Sequence, residues 1–236
     1  MNYLKKLLSA LLKIIILIII PYIITIISTY IYKILTNKDI SIYINNYLIY
    51  ILLLYYVLAI IYLIKKNKIK ITRIKTINYY NYISIGISLS CILNMIIFLI
   101  TKETIKLNYN LLFIISSTLI GPIYEEIIFR FIFYNRLKEF NSIRKSILMT
   151  TIIFSIIHIS PSKIFFAFIL GIIINIKYEK TNNLLVPILI HISANTIALF
   201  LNTYRVEILV LSILLLIINN QVDKLSNSWQ KNISII

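Results

Sequence analysis

Two adjacent glutamates, Glu125 and Glu126, stand in "GPIYEEIIFR" (residues 121 to 130), five and four places before the only other charge of that stretch, Arg130. The chain has only eight acidic residues and two histidines, and both histidines also fall in apolar runs: His158 in "FSIIHIS" (154 to 160) and His191 in "HISAN" (191 to 195). An ionised side chain at the middle of a bilayer costs about 2.5–3.5 kcal/mol on insertion scales, so such groups are kept for a purpose. A carboxylate and a histidine can hold and deprotonate a water, while a second histidine and an asparagine, here Asn195, can donate to a developing oxyanion. That is equipment for amide hydrolysis. No Ser or Cys has the setting of a nucleophile: Ser155 and Ser160 flank His158 without a motif, and the single Cys91 reads as a packing residue with no disulfide partner.

Helical spacing separates the two glutamates. Successive residues are about 100° apart, so Glu126 and Arg130 share a face while Glu125 points elsewhere. Arg130 then neutralises and orients Glu126, and Glu125 is left to face a cavity. Phe154 with His158, and His191 with Asn195, are spaced in the same way. Counted from the cytoplasmic helix ends, Glu125, His158 and His191 lie about 18, 20 and 12 Å deep, one layer within the tilt of a helix. Gly121-Pro122 predicts a kink that opens space beside Glu125. Tyr124 and Asn175 are expected to pack or to hydrogen-bond between helices. The bland reading of the whole set is an ion pair and two histidines holding a bundle together.

The elements that carry these residues are membrane helices. The chain of 236 residues is 60% hydrophobic, with mean hydropathy +0.91, three Gly and four Pro. This composition fits an all-α, polytopic helical bundle whose main solvent is lipid. Apolar runs predict about eight transmembrane helices, near 7–32, 43–64, 82–100, 111–134, 146–160, 163–176, 184–202 and 206–219. The first run follows Lys5 and Lys6 but has no small-residue cleavage pattern, and reads as a retained helix. The fifth and sixth, joined by "SPSK", are expected to cross twice or to form a re-entrant pair. The division is 1–110, N-terminal helices without a motif; 111–219, the motif-bearing bundle; and 220–236, a short cytoplasmic tail.

Charge sets the expected sidedness. With both termini cytoplasmic, Lys33, Lys38, Lys102, Lys106, Lys163 and Arg205 fall outside, Lys13 and Arg130 lie within helices, and the other sixteen of 24 Lys and Arg fall inside. The run "KKNKIKITRIKT" (65 to 76) is then a loop against anionic headgroups, and no nucleic-acid partner is inferred from the net charge of +16. The expected partners are the lipid bilayer and a peptide or membrane-protein substrate. The expected location is the cell membrane.

The three motifs, "EEIIFR" at 125–130, "FSIIH" at 154–158 and "HISAN" at 191–195, resemble those of the CPBP intramembrane protease family. That family includes the eukaryotic CAAX prenyl endopeptidase and the bacterial Abi and bacteriocin-immunity-associated proteins. The resemblance covers about residues 112–202, with one departure: Phe131 follows the arginine where relatives often have Gly. It implies an intramembrane endopeptidase in which Glu125 and His158 activate water, His191 and Asn195 form the oxyanion site, and Glu126 and Arg130 support them. The cavity is expected to face the cytoplasm and to need no metal or other cofactor, although Glu125, His158 and His191 are formally a zinc ligand set. Two other classes use the same groups: a non-catalytic immunity or peptide-binding protein of this fold, and a proton-coupled transporter.

Overall fold

The computed structural model describes residues 3–37, 40, 47–70, 76–102, 110–200 and 207–219. Among these residues there are eight helices and no strands: α1 Tyr3–Thr36, α2 Leu48–Asn67, α3 Thr76–Thr101, α4 Leu111–Lys138, α5 Ile143–Ile156, α6 Pro161–Thr181, α7 Leu185–Phe200 and α8 Glu207–Asn219. In a bilayer each backbone N–H must find its acceptor within the chain, which overrides the weak helix propensity of so many isoleucines. The protein is a multi-pass helical membrane bundle. The predicted tail 220–236 lies outside the described residues, as do Lys38, Arg73, Lys75, Lys106, Arg205, Lys224 and Lys231.

Local chemistry sets the helix ends. The Asn110 side chain accepts from the N–H groups of Leu112 and Phe113 at the start of α4. Ser142 caps α5 by accepting from Lys145 N–H, so this helix begins earlier than the predicted 146. Pro161 occupies the first turn of α6, where its missing N–H costs nothing, and Asn182 ends that helix in the left-handed region. α6 therefore runs past the predicted 176.

Five helices, α1, α2, α3, α4 and α6, are long and apolar enough to cross a membrane. α5 has 14 residues, hence a length of about 21 Å against a hydrocarbon core of about 30 Å. The α5–α6 pair is thus one short and one spanning arm, joined through residues 157–160. Rows of exposed Leu and Ile on α1 and α2, such as Leu12, Ile26, Leu54 and Leu58, present the surface that lipid covers.

α7 packs most extensively on α3 and also touches α4 and α6. Gly86 allows this closeness: a Cβ there would lie 2.0 Å from Ser193 Oγ and 2.3 Å from the Ile190 carbonyl oxygen. One end of the bundle is tied by polar groups. Tyr3 Oη donates to Asn141 Oδ1 (3.0 Å), Tyr134 Oη donates to Glu179 (2.8 Å), and Lys138 pairs with Glu179. The start of α1, the end of α4, the start of α5 and the end of α6 therefore meet at the lysine-rich end. The α5–α6 turn and the C-terminal ends of α3 and α7 lie at the other.

Candidate active site

Glu126 sits on α4 just before a segment, Ile127–Tyr134, with the wider hydrogen-bond spacing of a π-helix, a feature frequent at functional sites. Its Oε2 is 3.0 Å from Arg130 Nε, and both side chains are fully buried. Its Oε1 is 2.6 Å from His191 Nδ1. A carboxylate can only accept, so Nδ1 carries the proton and the imidazole is fixed with Nε2 bare. The buried charge of Glu126 is balanced by its pairing with Arg130.

The bare Nε2 points toward the other glutamate. It lies 3.8 Å from Glu125 Oε2, whose side chain is 31% exposed. Glu126 is thus fully buried and Glu125 partly exposed, but Glu125 is not among the residues that line the cavity described below, and it is His191 rather than His158 that faces it. No hydrogen bond joins Glu125 to His158 among the described residues.

Phe154 is the wedge between these groups. Its ring centroid is 5.8 Å from that of His191, 5.1 Å from that of His158 and 5.1 Å from that of Phe129. Arg130 Cζ stands 4.4 Å over the same ring. The Arg130 Nη1 and Nη2 groups have no acceptor among the described residues, so the ring's negative face is their partner. Gly171 of α6 lets the wedge in, since a Cβ there would meet Phe154 Cδ1 at 3.2 Å. Phe131, beside Arg130, is only half-buried at the margin of the core. Close approach is supplied by Gly86 and Gly171 instead.

His158 lies in the turn that ends α5, where its Nδ1–H donates to the Phe154 carbonyl oxygen (2.8 Å) and leaves Nε2 as an acceptor. The next residue, Ile159, has φ 63°. A β-branched residue in the left-handed region costs about 1–3 kcal/mol and persists where its surroundings hold it. The strain sits directly beside a site histidine.

Asn195 is placed by α4. Pro122 lacks the N–H that would return to Ser117 in the π spacing of Ser116–Ile120, so this segment leaves the Ser117 carbonyl without a backbone donor. Asn195 Nδ2 donates to it at 3.1 Å. One of its two N–H bonds remains. Gly121-Pro122 thus acts by freeing a carbonyl that anchors α7. The two other expected polar ties also form: Tyr124 Oη donates to the Leu17 carbonyl (2.8 Å), and Asn175 Nδ2 donates to Thr151 Oγ1 (3.0 Å).

His158, His191 and Asn195 line one cavity of about 460 Å³. Phe154, Phe166, Leu170 and Ala198 give it apolar walls, Ser160, Ser162 and Lys163 its rim, and Asn94 and Ile97 of α3 close one side. Asn94 is the functional candidate that sequence reasoning missed. Its signal was an amide inside the apolar run "CILNMIIFLI". The rim lies at the α5–α6 turn, opposite the lysine-rich end. A cytoplasm-facing cavity and cytoplasmic termini, expected together, would put this rim and the lysine-rich end on one side, whereas they lie at opposite ends of the bundle.

No three His, Cys, Asp or Glu side chains come together as metal ligands among the described residues.

Residues 107–197 match the family model described as "Type II CAAX prenyl endopeptidase Rce1-like". A similar protein is one from Bacillus subtilis (strain 168) named "Putative membrane peptidase YdiL", 35% identical over 85 residues, which are 36% of this chain and 35% of that protein. The match thus spans about a third of the relative's length. No solved structure matches the chain. The matched segment, residues 107–197, carries Glu125, Glu126, Arg130, Phe154, His158, His191 and Asn195, so the likeness to that family rests on the part of the chain that holds all three motifs.

Proposed function

We propose that the protein is an intramembrane endopeptidase that hydrolyses a peptide bond with a water held between Glu125 and His191. The observation that carries this reading is the 3.8 Å gap between Glu125 Oε2 and His191 Nε2, two acceptors that one water can bridge with its two O–H bonds. Glu125 takes one proton as the water oxygen bonds to the substrate carbonyl carbon, and the carbonyl π electrons move to oxygen. The free N–H of Asn195 donates to that oxyanion. When the C–N bond breaks, its electron pair stays on nitrogen, which receives the proton from Glu125. Glu126 and Arg130 fix the tautomer of His191 and touch no reacting atom. His158 offers its bare Nε2 to the same cavity, where it orients substrate or water.

This chemistry needs no bound metal. The charge bias supports cytoplasmic termini, so the substrate is a peptide or a membrane-protein segment presented from the bilayer or from its outer side. The full-length protein in nanodiscs, incubated with terminally blocked apolar hexapeptides in H₂¹⁸O, tests the reading. Products should carry one ¹⁸O in the new carboxyl group. Absence of cleavage would favour a peptide-binding role on the same fold.

A further inference from the structure

The cavity is not built by the matched segment alone. α3, which precedes residues 107–197, supplies Asn94 and Ile97 to its wall. Their placement follows from how α3 and α7 pack. Both helices start at the lysine-rich end and run the same way, and Gly86 fixes their contact at Ile190, Ser193 and Ala194. Eight residues on, α3 has risen about 12 Å, and Asn94 there shares the cavity with Asn195 and, one turn beyond it, Ala198.

The Asn94 side chain is buried and its donors are spent. Nδ2 donates to the Ser90 carbonyl oxygen at 2.8 Å and to Ser90 Oγ at 3.1 Å. These bonds hold the amide in one orientation. Its Oδ1 accepts from no described residue. At the cavity wall, a carbonyl oxygen with no protein donor is open to a ligand's N–H. The facing helix carries the opposite group, since Asn195 retains one N–H after bonding Ser117. One acceptor on α3 and one donor on α7 match the N–H and C=O of an extended peptide lying between them.

We propose that Asn94 is a substrate-positioning residue whose Oδ1 accepts a backbone N–H of the peptide next to the scissile bond. The proposal rests on the hydrolytic reading above. It makes the N-terminal helices part of the substrate site, and it selects peptides whose amide at that position bears hydrogen.

The test uses the full-length protein in nanodiscs and a blocked hexapeptide that the wild type cleaves, together with the same peptide N-methylated at each amide in turn. One N-methylation should raise the wild-type KM about three- to tenfold, the effect of one net hydrogen bond. Asn94→Leu should raise the KM of the parent peptide by a similar factor, keep kcat within about twofold, and lose all discrimination at that amide. Asn94→Ala replaces it should the leucine variant not accumulate. An unchanged KM, or N-methyl discrimination that persists in both variants, would overturn the proposal. If the wild type cleaves no peptide, benzoylphenylalanine placed at position 94 is photolysed with the same peptides carrying biotin. Capture then supports the subsite while the hydrolytic reading fails, and labelling of lipid alone overturns the subsite.

Discussion

Glu126 receives the Nδ1–H of His191 at 2.6 Å while its second oxygen holds Arg130 at 3.0 Å, so one buried carboxylate sets both the charge balance and the tautomer of the site. The two glutamates of the motif consequently do different work. One is buried in the site's framework and the other stands partly exposed beside His191.

Glu126→Gln should therefore fail as a fold. It removes the charge that balances the fully buried Arg130, and its single amide oxygen can accept from His191 or from Arg130 but not from both as the two carboxylate oxygens do. Breaking a buried pair in this way costs about 3–5 kcal/mol. Thermal unfolding in detergent should show a large drop and the membrane yield should fall. A variant as stable as wild type would show that the pair is not balancing charge.

Helix approach gives a second contrast. In Gly86→Ala the new methyl would lie 2.3 Å from a backbone oxygen of α7, which cannot turn aside. Overpacking of this kind costs about 1–3 kcal/mol. Gly171→Ala meets only side-chain atoms, at 3.2 and 3.3 Å from Phe154 and Thr151. Helix propensity returns about 1 kcal/mol, so its net change should be small. Denaturation midpoints of the two variants decide this, and equal losses would contradict the packing described.

Sidedness is measurable without a substrate. Ser162 is on the cavity rim, opposite the lysine-rich end, and the native Cys91 is buried. In intact cells Ser162→Cys should react with a membrane-impermeant maleimide, and a cysteine replacing Lys68 should react only after the membrane is opened. The reverse pattern would place the lysine-rich end outside.

Zinc dependence separates two chemistries for the same residues. Activity should survive prolonged chelation, and the purified protein should hold substoichiometric zinc. Loss of activity restored by one equivalent of zinc would make Glu125, His158 and His191 ligands and displace the carboxylate as base.

What the sequence disclosed follows from the cost of charge in lipid. Glu125, Glu126, Arg130, His158 and His191 were conspicuous because each is expensive in an apolar run, and eight helices were legible because lipid demands unbroken apolar stretches. The pairing within the site was not legible. Whether His191 meets Glu126 through Nδ1 depends on how α4 and α7 are rotated against each other, and spacing along one helix carries no such information. Asn94 escaped notice because a lone amide in a membrane helix equally well serves as interhelical glue. The π spacing at Ser116–Ile120 was hidden too: Pro122 announces a missing donor, but which carbonyl is left over depends on where Asn195 arrives.

The central claim is that Glu125 is the base for a water held against His191. Its most direct test compares the wild type with Glu125→Gln, both full-length in nanodiscs, in cleavage of the same hexapeptide followed by mass spectrometry. The substitution keeps the side chain's volume at a partly exposed position, so the variant should accumulate and unfold like wild type. Its kcat should fall at least about 100-fold, the lower bound for losing a general base. Full cleavage by a well-folded Glu125→Gln protein would contradict the account.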